Sequence, residues 1–318
     1  MRSLDIQGHR GARGLMPENT LPAFARALSI GVTTLELDCA ITRDGVVVVS
    51  HDATLNPEIT RDTAGQNAGR WIKRADLPIS QFTFDELQRF DVGRMDPAAD
   101  YAARFPQQQA MDGTRMPRLE DVFALARKAG NHSVRFNLES KISPLYPQRT
   151  VTPDVFAAAL INVIKNNDLT HRASVQSFDW RTLSAVQREA PEIATAYLSA
   201  QQPFMDNICA KAGASPWNAG LHVSQFGGSV GNPVPRMIHA AGGAIWSPCS
   251  NDVDAAGVQE AQALGLQVVV WTVNSACEIR RMLALGVDGI ISDYPDVLRR
   301  VAGENGYTLP LPTPVAVP

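Results

Sequence analysis

Ionisable side chains cluster where apolar segments of this chain end. His9-Arg10 close the run Asp5–Arg10, and Glu36 and Asp38 lie within Thr33–Cys39. His51-Asp52 close Val46–His51, while Asn137, Glu139 and Lys141 alternate through and just beyond Val134–Glu139. In an extended strand, successive side chains take opposite faces. Glu36 and Asp38 therefore share one face, and Leu35 and Leu37 take the other. Two carboxylates so close repel, and one is protonated unless a cation lies between them. Glu139, in phase with Asn137 and Lys141, supplies a third carboxylate. Oxygen donors of this kind suit Mg2+, Ca2+ or Mn2+, so one divalent cation is expected. The bland alternative is a structural network in which these acids pair with Arg or Lys.

His9 and His51 end the first and third strand candidates and so flank the carboxylates of the second. An imidazole titrates near neutrality, so such a pair suits a general base and a general acid. Arg10 and Lys141 carry the charge to hold a phosphate, and Asp52 stands ready to orient His51. His132, His171, His222 and His239 have no such placement and read as surface or loop residues. The segment GHRGARG, with Gly8, Gly11 and Gly14, matches neither the dinucleotide nor the P-loop pattern, so tight turns explain its glycines. Trp271 in WTVN reads equally as barrel packing or as a flat apolar wall for a substrate. Asp293 in SDYP ends a strand and reads equally as a helix N-cap.

The elements that must position these groups alternate. Strand candidates are Asp5–Arg10, Thr33–Cys39, Val46–His51, Val134–Glu139, Ala173–Phe178, Ile193–Leu198, Gln267–Val273 and Asp288–Asp293. Amphipathic helices are expected at Glu18–Ile30, Leu119–Ala129, Pro153–Asn166, Trp180–Glu189, Ala255–Leu264 and Ala276–Leu285. Eight strands in βα alternation predict an α/β fold, a (β/α)8 barrel whose catalytic groups sit at the C-terminal strand ends. Two stretches break the rhythm. Ala53–Arg118 is rich in Pro, Gly, Gln and Asp, with one short helix at Phe84–Phe90. It is too long for a structureless loop and reads as a subdomain inserted after the third strand, placed to cap the site. Its aromatics, Trp71, Phe82, Phe84, Phe90, Tyr101 and Phe105, suffice for a small core, and Arg61, Arg70, Lys73 and Arg74 could meet an anionic headgroup. Ser199–Asn251 holds two short apolar runs, GLHVS and AIWSP, that leave room for a ninth or tenth strand, and a helix near Pro235–Ala241. The expected organisation is one barrel domain over 1–305 and an extended Pro-rich tail over 306–318.

Composition narrows the partners. A net charge of −3 and no sustained Lys/Arg run argue against nucleic acid. The four cysteines, Cys39, Cys209, Cys249 and Cys277, are scattered without C-x-x-C spacing and read as idle thiols. No apolar stretch approaches the roughly 20 residues needed to span a bilayer, so no stable membrane insertion is expected. The N-terminus lacks an apolar signal segment; as given, the chain is expected in the cytoplasm, or in the periplasm if a leader was removed. The oligomeric state stays open.

Taken in order, HRGARGLMPENT, ELD, SHD, NLESK, QSF, WTVN and DGIISDYP resemble the motifs of glycerophosphodiester phosphodiesterases, from about Gly8 to Pro295. The combination HR, E-x-D and HD is far more specific than any of its pieces. The resemblance implies a TIM barrel with an insertion after strand three, hydrolysing small glycerophosphodiesters to glycerol 3-phosphate and an alcohol. It implies metal ligands at Glu36, Asp38 and Glu139, catalytic histidines at His9 and His51, and phosphate-binding cations at Arg10 and Lys141. Attack by the glycerol 2-hydroxyl through a cyclic phosphate, and direct attack by water, both stay open. Ser140 stands where an aliphatic residue is more usual and, facing outward, is expected to matter little. A related barrel phospholipase acting on lipid headgroups, and a non-catalytic phosphodiester-binding barrel, are the alternatives.

Overall fold

In the computed structural model, which describes residues 2–73, 76–208, 215–227 and 232–317, short Val/Ile/Leu-rich runs pair into a closed sheet. The strands are β1 (Asp5–Gly8), β2 (Thr34–Ile41), β3 (Val47–Val49), β4 (Arg135–Ser140), β5 (Ala173–Ser177), β6 (Ala194–Ser199), β7 (Ile245–Pro248), β8 (Gln267–Val270) and β9 (Gly289–Ser292). All except β3 are parallel, in the order β1-β2-β4-β5-β6-β7-β8-β9, and β9 returns to β1. The register sets Asp38 opposite Glu139 and Glu36 opposite Asn137, and Glu139 opposite Gln176.

One expected barrel strand is something else. The run Val46–His51 contributes only β3, which pairs antiparallel with β2, Cys39 opposite Val49. The linking turn Thr42–Val46 contains Asp44-Gly45, with Gly45 at φ 81°. A hairpin this tight can only reverse the chain, whereas a parallel neighbour needs a long crossover. The eighth parallel strand is instead β7, from the run AIWSP, between β6 and β8.

The covering helices are α1 (Leu21–Ile30), α2 (Leu119–Lys128), α3 (Pro153–Asn166), α4 (Trp180–Glu189), α5 (Pro233–Ala240), α6 (Ala255–Ala263), α7 (Ala276–Leu285) and α8 (Pro295–Glu304). Their ends follow from local chemistry. Thr20 caps α1 by accepting from Ala23 N–H, and Gly31 at φ 88° closes it in a left-handed turn. Asp179, Asp254 and Ser275 cap α4, α6 and α7. Each such cap contributes about 1 kcal/mol. The main core lies between barrel and helices, with Trp180, Trp246, Tyr197, Phe24, Phe123 and Phe156 fully buried.

The insertion has a core of its own. Leu55, Ile79, Leu87, Phe90 and Met116 pack on Val48 and Ala40, with Phe82 and Phe84 at the margin. Arg61–Asp62 pairs antiparallel with Arg70–Trp71 and with Phe90–Asp91. A short helix, Asp100–Arg104, follows. The tail is extended and lies against the outside of the barrel, where Thr313 N–H donates to Leu28 O at 2.9 Å. Among the described residues no helix is long and apolar enough to cross a membrane. Cys39 and Cys249 are buried, Cys277 is exposed, and Cys209 lies outside the described residues.

Candidate active site

At the C-terminal end of the barrel the chain leaves β1 through a turn in which backbone crowds backbone. A Cβ at Gly8 would lie 2.2 Å from Gly11 O. Arg10 takes φ 49° and Gly11 φ 85°. This turn aims the Arg10 backbone N–H at Glu36 Oε2, 2.9 Å away, and lifts His9 over the carboxylates. His9 Nε2 is 3.9 Å from Glu36 Oε2.

Glu36, Asp38 and Glu139 present carboxylate oxygens within 4.8 Å of one another, all buried. Their other contacts fix them in place. Gln176 Nε2 donates to Glu36 Oε1 at 2.7 Å, and Asn19 Nδ2 donates to Asp38 Oδ2 at 2.8 Å. Lys141 Nζ donates to Glu139 Oε1 at 2.6 Å and lies 3.7 Å from Asp38 Oδ1. Asp38 Oδ1 is buried with no hydrogen bond. Below them a polar layer fills the barrel: Asn137 Nδ2 donates to Gln7 Oε1 at 3.0 Å and Gln176 Oε1 at 2.9 Å.

Charge is divided unevenly among the three acids. Burial, then Asp38 and Glu139, push the Glu36 carboxyl well above its ordinary range. Burial raises Glu139 too, with Lys141 opposing. Burial would raise Asp38, but His51, Arg10 and Lys141 together hold it low. Three like charges cannot all persist in one dry pocket, so part of the set holds protons that a cation would displace. Hard oxygen donors and an Asp38 Oδ1 without a hydrogen bond fit a divalent cation such as Mg2+, Ca2+ or Mn2+.

The two histidines differ in their support. His9 Nδ1 meets Asp293 Oδ1 at 2.6 Å. Arg13 donates twice to that carboxylate, at 2.7 and 3.0 Å, and Asn274 Nδ2 donates at 2.8 Å. Burial would raise the Asp293 carboxyl, but His9 and Arg13 hold it low, so it is ionised. An ionised carboxylate only accepts, so His9 carries its proton on Nδ1 and leaves Nε2 as an acceptor facing the site. Burial, then Arg13, pull the His9 pKa down to about 3 despite Asp293. His51 Nδ1 meets Asp52 Oδ1 at 2.9 Å, and Asn56 holds the other oxygen of Asp52 at 3.0 Å.

His9, Arg10, Glu36, His51, Glu139, Lys141 and Trp271 all border one cavity of about 370 Å³. The structure thus brings every site residue read from the sequence to one place, with Asp38 just behind. The opposite wall is apolar: Trp271 meets Phe178 edge-on at 5.4 Å and donates its indole N–H to Ser247 O at 2.9 Å. Trp271 is therefore wall as well as packing. Asp293 caps no helix; the N-cap of α8 is Tyr294, without a side-chain bond. Sequence reasoning misses Glu18, Asn19, Arg13 and Gln176. Gln176 is findable, since it lies in phase on a strand; the others sit in loops, where phase says nothing. Ser140 bonds Ser177 Oγ at 2.9 Å, turned from the cavity as expected. Arg61 does not greet the site but pairs with Asp91 and Asp112, and neither Arg70 nor Lys73 borders the cavity. Arg74 lies outside the described residues, and the insertion's contribution to the rim is Arg104.

A family model described as the glycerophosphoryl diester phosphodiesterase family matches residues 9–297. A glycerophosphodiester phosphodiesterase of Caldanaerobacter subterraneus is 28% identical over 309 residues, covering 96% of this chain and 100% of that one. A solved Silicibacter pomeroyi protein assigned to the same family is 35% identical, covers 96% of this chain and 95% of its own, and superposes with a TM-score of 0.83. An Oleispira antarctica phosphodiesterase, solved with the product sn-glycerol-3-phosphate, shares the fold at a TM-score of 0.64 and 22% identity, covering 93% of this chain and 96% of its own.

Proposed function

We propose, from the premise that this chain belongs to the glycerophosphoryl diester phosphodiesterase family, that it hydrolyses small glycerophosphodiesters to glycerol 3-phosphate and an alcohol in a metal-dependent reaction. One observation carries the reading: three buried carboxylates converge beside two histidines, Glu36 and Glu139 lining the same cavity as both histidines and Asp38 just behind, with Asp38 Oδ1 making no hydrogen bond. Glu36, Asp38 and Glu139 would hold the cation. Bound there, a divalent cation supplies charge neutralisation to the phosphate and acidifies the attacking hydroxyl.

The chain's own groups do the rest. Arg10 and Lys141 hold phosphate oxygens at the edge of the acid cluster. His9, neutral and fixed by Asp293, accepts the proton of the attacking hydroxyl at Nε2. His51 donates a proton to the departing alcohol, with Asp52 orienting its ring. Trp271 and Phe178 give the carbon skeleton a flat surface and keep water off that side.

The test is glycerol 3-phosphate release from glycerophosphocholine after EDTA treatment, then with Mg2+, Ca2+ or Mn2+ restored. Activity should fall to background and return with at least one ion. The same ion should bind wild type in a calorimeter and bind Asp38→Asn more weakly. Full turnover by exhaustively chelated, metal-free protein would sink the reading.

A second reading is favoured by one observation. Beyond His51 and Lys141 the cavity continues into an apolar groove of about 420 Å³ lined by Ile142, Tyr146, Phe178, Met205 and Trp217. Such a groove suits an apolar alcohol arm, as in a lysophospholipid. The segment 53–118, with Arg104 at the rim, is proposed to limit access by aggregated lipid. The ratio of kcat/KM for glycerophosphocholine to that for lysophosphatidylcholine decides between the two.

A further inference from the structure

The insertion reaches the site by a route hidden behind Arg10. Its short helix turns Tyr101 inward, and the buried phenol donates to Glu18 Oε2. The other oxygen of that buried carboxylate accepts from Arg10 Nη1 at 2.8 Å. On its far side, Arg10 Nε lies 3.4 Å from Asp38 Oδ2 and makes no hydrogen bond. Glu18 and Asp38 therefore compete for one guanidinium. Glu18 wins while both its oxygens are satisfied, because a buried carboxylate oxygen without a donor is costly. Remove the phenol, and the cation left within reach of Oε2 is Arg13, whose Nη1 is 4.0 Å away. Rotation of Glu18 toward Arg13 would free Arg10 to settle on Asp38, away from the cavity.

We propose that Tyr101 is a positioning residue: through Glu18 it holds the Arg10 guanidinium toward the substrate phosphate and off the carboxylate of Asp38. The proposal rests on the reading of Arg10 as a phosphate ligand. The segment that carries Tyr101 is pinned for this purpose. Phe105 meets Tyr101 edge-on at 5.2 Å and lies against the Arg13 guanidinium at 4.6 Å. Gln108 Nε2 donates to Arg13 O at 2.7 Å, and Gln109 N–H to Leu15 O at 2.9 Å. The contacts to Arg13 and Leu15 land on the loop between β1 and α1 that contains Arg10 and Glu18. The insertion is thus a brace for that loop, and the residues doing the bracing are 101–109.

The experiment compares wild type, Tyr101→Phe, Arg10→Lys and the double variant, with glycerophosphocholine as substrate and sn-glycerol 3-phosphate as calorimetric ligand. Tyr101→Phe should raise KM and weaken glycerol 3-phosphate about tenfold, the size of one lost bond to a charged group, while kcat changes far less. In the Arg10→Lys background the same change should add almost nothing, since the group being positioned is gone. An equal loss in both backgrounds, or an unchanged KM, overturns the brace. A neutral Arg10→Lys overturns the reading of Arg10 itself and the brace with it. If Tyr101→Phe fails to fold, Glu18→Gln carries the same comparison, since the amide keeps the shape and gives up the charge that holds Arg10.

Discussion

The two histidines reach one cavity with opposite kinds of support. His9 has a side chain 12% exposed, and its partner Asp293 is 284 residues away in sequence and held by three donors from Arg13 and Asn274. His51 has a side chain 32% exposed and leans on the adjacent Asp52, itself 37% exposed. A carboxylate gripped by buried donors cannot turn away, so it fixes both the ring orientation and the tautomer of its histidine. A half-exposed pair is screened by water and holds its geometry weakly. Under the proposed mechanism, rigidity is therefore concentrated at the histidine that takes the proton, and freedom is left at the one beside the departing alcohol.

Removing either ring breaks the comparison most severely. His9→Ala and His51→Ala should each lower kcat by about 10²–10⁴-fold while retaining divalent-ion binding. Turnover is followed by glycerol 3-phosphate release, ion binding by calorimetry. Near-normal turnover in both variants would refute the paired-histidine chemistry.

Changing the supports instead of the rings sharpens it. Asp293→Asn presents an amide that can donate to His9 and so allows the wrong tautomer, and kcat should fall by roughly a hundredfold or more. Asp52→Asn should cost less than about tenfold, because that pair is partly solvated. Equal losses would show that the buried and exposed supports do the same job.

The same contrast explains what can be read from the sequence. His51-Asp52 is a local pair, adjacent in the chain, and its orientation is legible without a structure. Glu36, Asp38 and Glu139 are legible because strand alternation converts spacing into a shared face, and the register confirms it by setting Asp38 opposite Glu139. Asp293 reads as a helix cap because nothing near it in sequence names its true partners, His9 and Arg13. Glu18 and Tyr101 escape for the same reason: one is in a loop, the other in an insertion whose fold has no period to read. The barrel is legible as a class, yet the composition misplaces one of its strands. Val46–His51 has the make-up of a barrel strand, but the Asp44-Gly45 turn before it makes it the return arm of a hairpin. The four-residue β7, ending in Pro248, carries little strand signal of its own, and its place in the barrel comes from its parallel neighbours β6 and β8.

The smallest expected effect concerns acid stability and isolates the buried histidine. The His9 pKa is pushed down to about 3 in the folded protein, below the roughly 6.5 of an unfolded histidine. The unfolded chain therefore binds more protons between these values, and stability must rise with pH across that window. The His9 contribution is fully present above about pH 6.5 and is lost progressively as pH falls toward 3. Between pH 7 and pH 5 it should remove about 2 kcal/mol, since one proton bound only by the unfolded chain changes stability by about 1.4 kcal/mol for each step of one in pH. Glu36 and Glu139 work with the opposite sign in metal-free protein, because their folded-state carboxyls are raised and their protonated forms are the favoured ones. Asp293 is held low, so its contribution changes only below the ordinary carboxylate range and stays out of this window. The informative quantity is thus the difference between wild type and His9→Asn, whose amide can still donate to Asp293 but does not titrate. Urea unfolding of both proteins at pH 7 and pH 5, without added metal, gives that difference directly. It should shrink by about 2 kcal/mol at pH 5 if His9 is buried neutral. A His9 difference that is flat with pH would overturn the reading of His9 as the buried, neutral histidine.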